Sequence, residues 1–300
     1  MKMLFIFIDG LGLGEPDPGK NPVFAANTPA LDRIFADGLV IPTETRMGVP
    51  GLPQSATGQT AIFTGVNASR AIGRHLNAQP SQALREIIHR DNLFKMLIRE
   101  GFTVTNANAY RQEYLDRMNT PGEKRYKPSV TSVMTMSAGV RFRLVDDYRQ
   151  GEGIYHDITG KIIEESGHGT GTISPREAAR RLYTISREHD FTMFEHFLTD
   201  IIGHSMDMDA AVREIELLDA FFGGLLDFID PREDLLFITS DHGNIEDISI
   251  KTHTMNEVPT VIYGKLPAGA RVWIESLTDI TPAVVEIFKK AGSKDRSSDV

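Results

Sequence analysis

Leu235-Leu236-Phe237-Ile238-Thr239-Ser240-Asp241-His242-Gly243-Asn244 is an apolar run that stops abruptly at an acid, an imidazole and a glycine. Consecutive apolar and β-branched residues predict a strand buried on both faces. Asp241 and His242 then stand at the mouth of that strand. Neighbouring side chains of an extended backbone point to opposite sides, so the two can serve different partners a few ångströms apart. Two metal ions would be such partners.

Met3-Leu4-Phe5-Ile6-Phe7-Ile8 repeats the pattern and ends in Asp9-Gly10. The glycines at 10, 12 and 14 do not make a dinucleotide fingerprint, because their spacing is G-x-G-x-G and Pro16 and Pro18 follow where a helix should open. Further strands are predicted over 102–105, 140–145, 191–199, 258–263 and 271–274. Helical periodicity and capping residues predict helices from Thr28-Pro29, over 85–100 with Asp91 as an internal cap, from Ser174 to about Glu188, over 208–229, and from Thr281-Pro282 to about Lys290. Strands separated by helices imply an α/β fold with a largely parallel sheet flanked by helices, its ligands gathered at the carboxyl ends of the strands. The pattern loosens from Tyr110 to Gly171. This gives a discontinuous metal-binding core of 1–109 and 172–300 and a small inserted cap over 110–171.

The chain has 300 residues, enough for one sizeable domain with an insertion, and its 41% hydrophobic and 24% charged content excludes disordered and fibrous classes. A formal charge of −9 argues against nucleic acid as a partner. With no cysteine there is no disulfide framework, thiolate site or cysteine nucleophile, so metal ligands must be Asp, Glu, His or hydroxyls. Met3–Ile8 is too short for a signal-peptide core or a membrane span, and a cytoplasmic location with no membrane partner is the expectation. The tail from Ser293 to Val300 reads as polar and frayed.

Asp200 and His204 stand four apart, a spacing that on a helical turn places both on one face within reach of a single cation. His253 lies in a polar loop entering the strand at 258. Asp200, His204 and His253 make one three-ligand set; Asp9, Asp241 and His242, with Thr60 completing it, make a second. Thr60 is read in the first turn of a helix opening near Thr57 or Gly58, where free N–H groups welcome a phosphoryl oxygen and a cation would lower the hydroxyl pKa. Ser55, Thr57 and Thr64 are rival hydroxyls that spacing does not exclude.

These segments, Ile8-Asp9-Gly10, Gly51-Leu52-Pro53 through Gly58-Gln59-Thr60, Thr199-Asp200 through Gly203-His204, Ser240-Asp241-His242-Gly243-Asn244, and Thr252-His253-Thr254 with Val258-Pro259, resemble the alkaline phosphatase superfamily of two-metal enzymes. The likeness is greatest to the branch of cofactor-independent phosphoglycerate mutase and phosphopentomutase, and Asn27-Thr28-Pro29-Ala30-Leu31-Asp32-Arg33 shares it. The resemblance implies an alkaline-phosphatase-like fold, two divalent ions (manganese, magnesium or zinc) on the two ligand sets above, Thr60 as nucleophile and a small phosphorylated substrate. It departs in the middle, where those mutases carry a large cap; Arg70, Arg74, Arg111, Arg125, Arg141 and Arg143 match no substrate ligand of the family. The expectation is a metal-dependent hydrolase of a small phosphate ester, with a phosphomutase and a catalytically silent metal- or phosphate-binding protein as rivals.

Overall fold

The computed structural model describes residues 1–118, 120 and 127–295. Its strands are β1 (Lys2–Ile8), β2 (Leu39–Thr43), β3 (Val104–Asn106), β4 (Ala109–Tyr110), β5 (Arg143–Leu144), β6 (Phe191–His196), β7 (Asp234–Thr239) and β8 (Val258–Tyr263). Six of them form one sheet in the order β2-β8-β7-β1-β6-β3, and β4 pairs with β5 apart from it. β1 pairs in parallel with β6 and β7, and β3 with β6. β8 runs antiparallel to β7 and to β2.

The apolar runs are continuous because both faces of the sheet are covered. Met3, Phe5 and Phe7 share one apolar layer with Leu235 and Phe237, and with residues of the helices Ser55–Thr64, Leu93–Arg99, Val130–Ser137 and Ile280–Asp295. Leu4, Ile6 and Ile8 point the other way, into a layer with the helices Pro29–Asp37, Pro175–Arg187 and Met208–Phe228. Phe5 centres the first layer, stacked on Phe237 at 5.1 Å and tilted against Phe191 at 5.5 Å. This is the α/β fold the chain pattern implies, built as three layers.

Several boundaries differ from the sequence reading. The helix expected over 85–100 is two, Gln82–Arg90 and Leu93–Arg99, with Asn92 rather than Asp91 capping the second. The strand expected over 191–199 stops at His196, because a helix, Leu198–Gly203, opens there and carries Asp200. No strand forms over 271–274. β2 was not foreseen; it is a short edge strand with Pro42 in it, a position a proline tolerates. Thr28 makes no side-chain cap, and the Asp219 carboxylate accepts from the Ala30 and Leu31 N–H groups instead.

Within 110–171, Val130, Val133 and Met134 join the layer around Phe5, whereas Val145, Tyr148, Tyr155 and Ile163 form a small cluster with Ala109. Pro121, Arg125 and the end of the tail, 296–300, lie outside the described residues. Among the described residues no helix is long and apolar enough to cross a membrane.

Candidate metal centre

The predicted Asp and His ligands lie at one end of the sheet. Asp9 follows β1, Asp200 sits in the helix after β6, and Asp241 and His242 follow β7. His253 reaches the same end because β8 is antiparallel, which puts its incoming loop beside the carboxyl ends of its neighbours.

One group is Asp200, His204 and His253, whose ligand atoms all lie within 4.8 Å of one another. His204 Nδ1 donates to Lys251 O and His253 Nδ1 to Pro53 O, each at 2.8 Å. Those bonds fix the tautomers and turn both Nε2 lone pairs inward, 3.2 Å apart, and 3.5 and 3.3 Å from Asp200 Oδ1. Two lone pairs facing each other beside a carboxylate repel unless a cation, or a proton on one ring, lies among them. Asn244 Nδ2 holds Asp200 Oδ1 from behind at 2.7 Å.

The second group is Asp9, Asp200 and His242, so Asp200 stands between the two. His242 Nε2 lies 3.3 Å from Asp9 Oδ1 and 3.6 Å from Asp241 Oδ2. Gln59 Nε2 spans the two carboxylates, donating to Asp9 Oδ2 at 3.0 Å and Asp241 Oδ2 at 3.2 Å. Burial opposes charge on the His242 ring, but Asp241 and Asp9 overcome it and raise its pKa. Burial and the neighbouring Asp9 push the Asp241 carboxyl up. Asp9 Oδ1 is buried with no hydrogen-bond partner. Buried acceptors are rarely left so, and an orphaned carboxylate oxygen beside converging oxygen and nitrogen donors fits divalent cations.

The structure places the candidate hydroxyls differently from the sequence reading. The helix begins at Ser55, not near Thr57 or Gly58, so Thr60 is past its first turn. Thr60 is fully buried and its hydroxyl donates to Ala56 O at 2.6 Å, within the helix. Ser55, half-buried, opens the helix, its Oγ 2.9 Å from His242 Nε2. Thr57 Oγ1 donates to Gln54 O and Thr64 Oγ1 to Thr60 O, so these two hydroxyls are also bonded locally.

A cavity of about 400 Å³ opens beside Asp9, Ser55 and Asp200. Tyr110, Tyr155 and Phe197 supply aromatic walls, and Arg111 lines it too. Arg143, by contrast, is a buried fastener, with Nε donating to Glu152 O and Nη1 to Asn106 O. Arg141 pairs with Asp147. Gln59, Asn244 and Glu246 were not singled out from the sequence, although the last two follow Asp241-His242 within four residues.

The sequence profile of the metalloenzyme superfamily matches residues 1–291. The chain belongs to the metalloenzyme superfamily. Among its curated relatives, a 2,3-bisphosphoglycerate-independent phosphoglycerate mutase of Desulforudis audaxviator is 26% identical over 122 residues, covering 39% of this chain and 24% of the mutase. The chain thus matches about a quarter of that relative's length. Solved structures share the whole fold: the PH0037 protein of Pyrococcus horikoshii, with a TM-score of 0.60 and 17% identity, covers 96% of this chain and 97% of its own. Alkaline phosphatase from the Antarctic bacterium TAB5 superposes with a TM-score of 0.56 and 13% identity over 96% of this chain and 98% of its own. The superfamily member described here therefore has an alkaline-phosphatase-like fold.

Proposed function

We propose that this chain is a two-metal phosphoryl-transfer enzyme that hydrolyses a small phosphate ester, with Ser55 as nucleophile. The observation that carries the reading is Ser55 Oγ at the first turn of its helix, 2.9 Å from His242 and lining one cavity with Asp9 and Asp200. Asp200, His204 and His253 would hold one divalent ion, manganese, magnesium or zinc, and Asp9, Asp241 and His242 the other. When bound, such ions lower the pKa of a hydroxyl and neutralise charge on phosphoryl oxygens.

The chain's own residues do the rest. Ser55 Oγ bonds to phosphorus as the ester oxygen departs, and water then cleaves the phosphoserine, freeing Ser55 and inorganic phosphate. The first-turn N–H groups of the helix, which lack partners within it, favour the anionic phosphoryl group. Gln59 keeps Asp9 and Asp241 in a fixed relation. The adjoining cavity is of a size for a small leaving group.

The mutase names of the relatives favour a second reading, return of the phosphoryl group to the same substrate. That outcome requires the phosphoenzyme to be kept from water. The short segment over 110–171 supports hydrolysis over return. The test is metal-stripped protein assayed on an aryl phosphate before and after adding manganese, magnesium or zinc, with phosphate release compared against isomer formation on phosphoglycerates and pentose phosphates. Metal-restored phosphate release, absent in Ser55→Ala, is the expected result. Isomer formation without phosphate release would establish the mutase instead.

A further inference from the structure

Three segments that carry candidate ligands meet at one carboxylate that is not itself a ligand. Glu246 is 1% exposed. Its Oε2 accepts from Gly12 N at 3.0 Å and Asn244 N at 2.7 Å. Its Oε1 accepts from Thr254 Oγ1, and from Asn256 Nδ2 at 3.1 Å. Gly12 belongs to the loop leaving Asp9, Asn244 follows His242, and Thr254 follows His253. Asn244, held in place by its N–H to Glu246, passes the connection to Asp200 through Nδ2 bonds to Oδ1 at 2.7 Å and to the backbone carbonyl at 3.0 Å.

The surrounding backbone is shaped to admit this carboxylate. A Cβ at Gly12 would fall 2.2 Å from Glu246 Oε1, and one at Gly243 would fall 2.1 Å from it and 2.2 Å from Thr254 Oγ1. Atoms cannot approach so closely, so the two loops close around Glu246 only because both positions lack a side chain. All four donors are neutral. A buried carboxylate satisfied by four neutral donors gives directional tethering without supplying a counter-charge to the cluster.

We propose that Glu246 is the positioning residue of the metal centre: it fixes the loops that bear Asp9, His242 and His253 relative to one another and, through Asn244, orients Asp200. This rests on the metal-binding reading above. Outer groups that orient ligands typically govern affinity by 10- to 100-fold. Glu246→Gln keeps the volume but turns an amide donor onto N–H or O–H donors that need an acceptor.

The test is calorimetric titration of metal-stripped wild type, Glu246→Gln and Thr254→Val with manganese alone, followed by aryl phosphate turnover across manganese concentration. Manganese affinity is expected to fall about 10- to 100-fold in Glu246→Gln and less in Thr254→Val, with kcat recovering to within a few-fold of wild type at saturating manganese. A purely structural glutamate would lower the unfolding midpoint without that metal-dependent recovery. Unchanged affinity in folded variants, or a kcat loss that saturating manganese does not restore, overturns the proposal. Should Glu246→Gln not fold, Thr254→Val, which removes only one hydroxyl, carries the same comparison. Wild type that binds no manganese would instead overturn the metal-binding reading itself.

Discussion

Ser55 Oγ and His242 Nε2 are 2.9 Å apart although 187 residues separate them in the chain. The contact places a hydroxyl at a helix start against the ring between Asp9 and Asp241, and it is what favours Ser55 over the other hydroxyls of the Ser55–Thr64 helix in the proposed reaction.

Ser55→Ala is therefore expected to lower phosphate-ester turnover by on the order of 10³-fold or more, as loss of a nucleophile does. Thr60→Val should leave turnover within a few-fold, because its hydroxyl is already spent on Ala56 O. Parallel kcat measurements with saturating metal check this. Equal losses in the two variants would contradict the assignment.

His204→Ala should remove one ion and spare the other. His204 belongs to the group with Asp200 and His253, while Asp9, Asp241 and His242 remain intact. Metal analysis after dialysis is expected to fall from two ions per chain to one, with turnover lost. Retention of two tightly bound ions would show that His204 is not a ligand.

Glu195 offers a pH test at a carboxyl that is not itself a candidate ligand. It lies in β6, lines the same cavity, and accepts from Thr131 Oγ1 at 2.5 Å, while Asn108 clamps its backbone on both sides. Burial, aided by the Asp9 charge, lifts its carboxyl from 4.5 to about 7. The folded state thus holds a proton that the unfolded chain has lost across that window. Stability from neutral Glu195 is fully present below pH 4.5 and is lost as pH rises through about 7, a change on the order of 3 kcal/mol. In urea unfolding of metal-stripped protein, Glu195→Gln should gain stability relative to wild type between pH 5 and 8. A constant difference across that range would contradict the shift.

Phe237 stacks on Phe5 in the centre of the apolar layer and is fully buried. Phe237→Ala is expected to cost about 3–5 kcal/mol by chemical denaturation, through lost burial and the cavity left behind. A loss below about 1 kcal/mol would mean that this layer collapses around the gap.

The parts legible in the sequence were those specified locally. Met3–Ile8 and Leu235–Thr239 announce buried parallel strands by unbroken apolar composition, and Asp9, Asp241 and His242 follow directly from where those runs stop. Asp200 and His204 were legible because four-residue spacing fits one helical turn, which Leu198–Gly203 supplies. The start of the Ser55 helix was not, since Gln54 at its N-cap makes no side-chain cap bond and no capping signal marks the boundary. The Gly65 stop, counted back, is the only local hint of its extent. Gln59 and Glu246 escaped notice because their meaning lies in partners 182 and 234 residues away, Asp241 and Gly12. The direction of β8 was equally a tertiary matter, settled by its pairing with β7.

The most direct measurement is acid quenching of the metal-loaded enzyme during turnover of an aryl phosphate, followed by peptide mapping for a covalent phosphoryl group. Phosphoserine at Ser55 is expected, absent from Ser55→Ala and from metal-stripped protein. Phosphate on Thr60, or steady turnover with no phosphoenzyme under any quench, would contradict it.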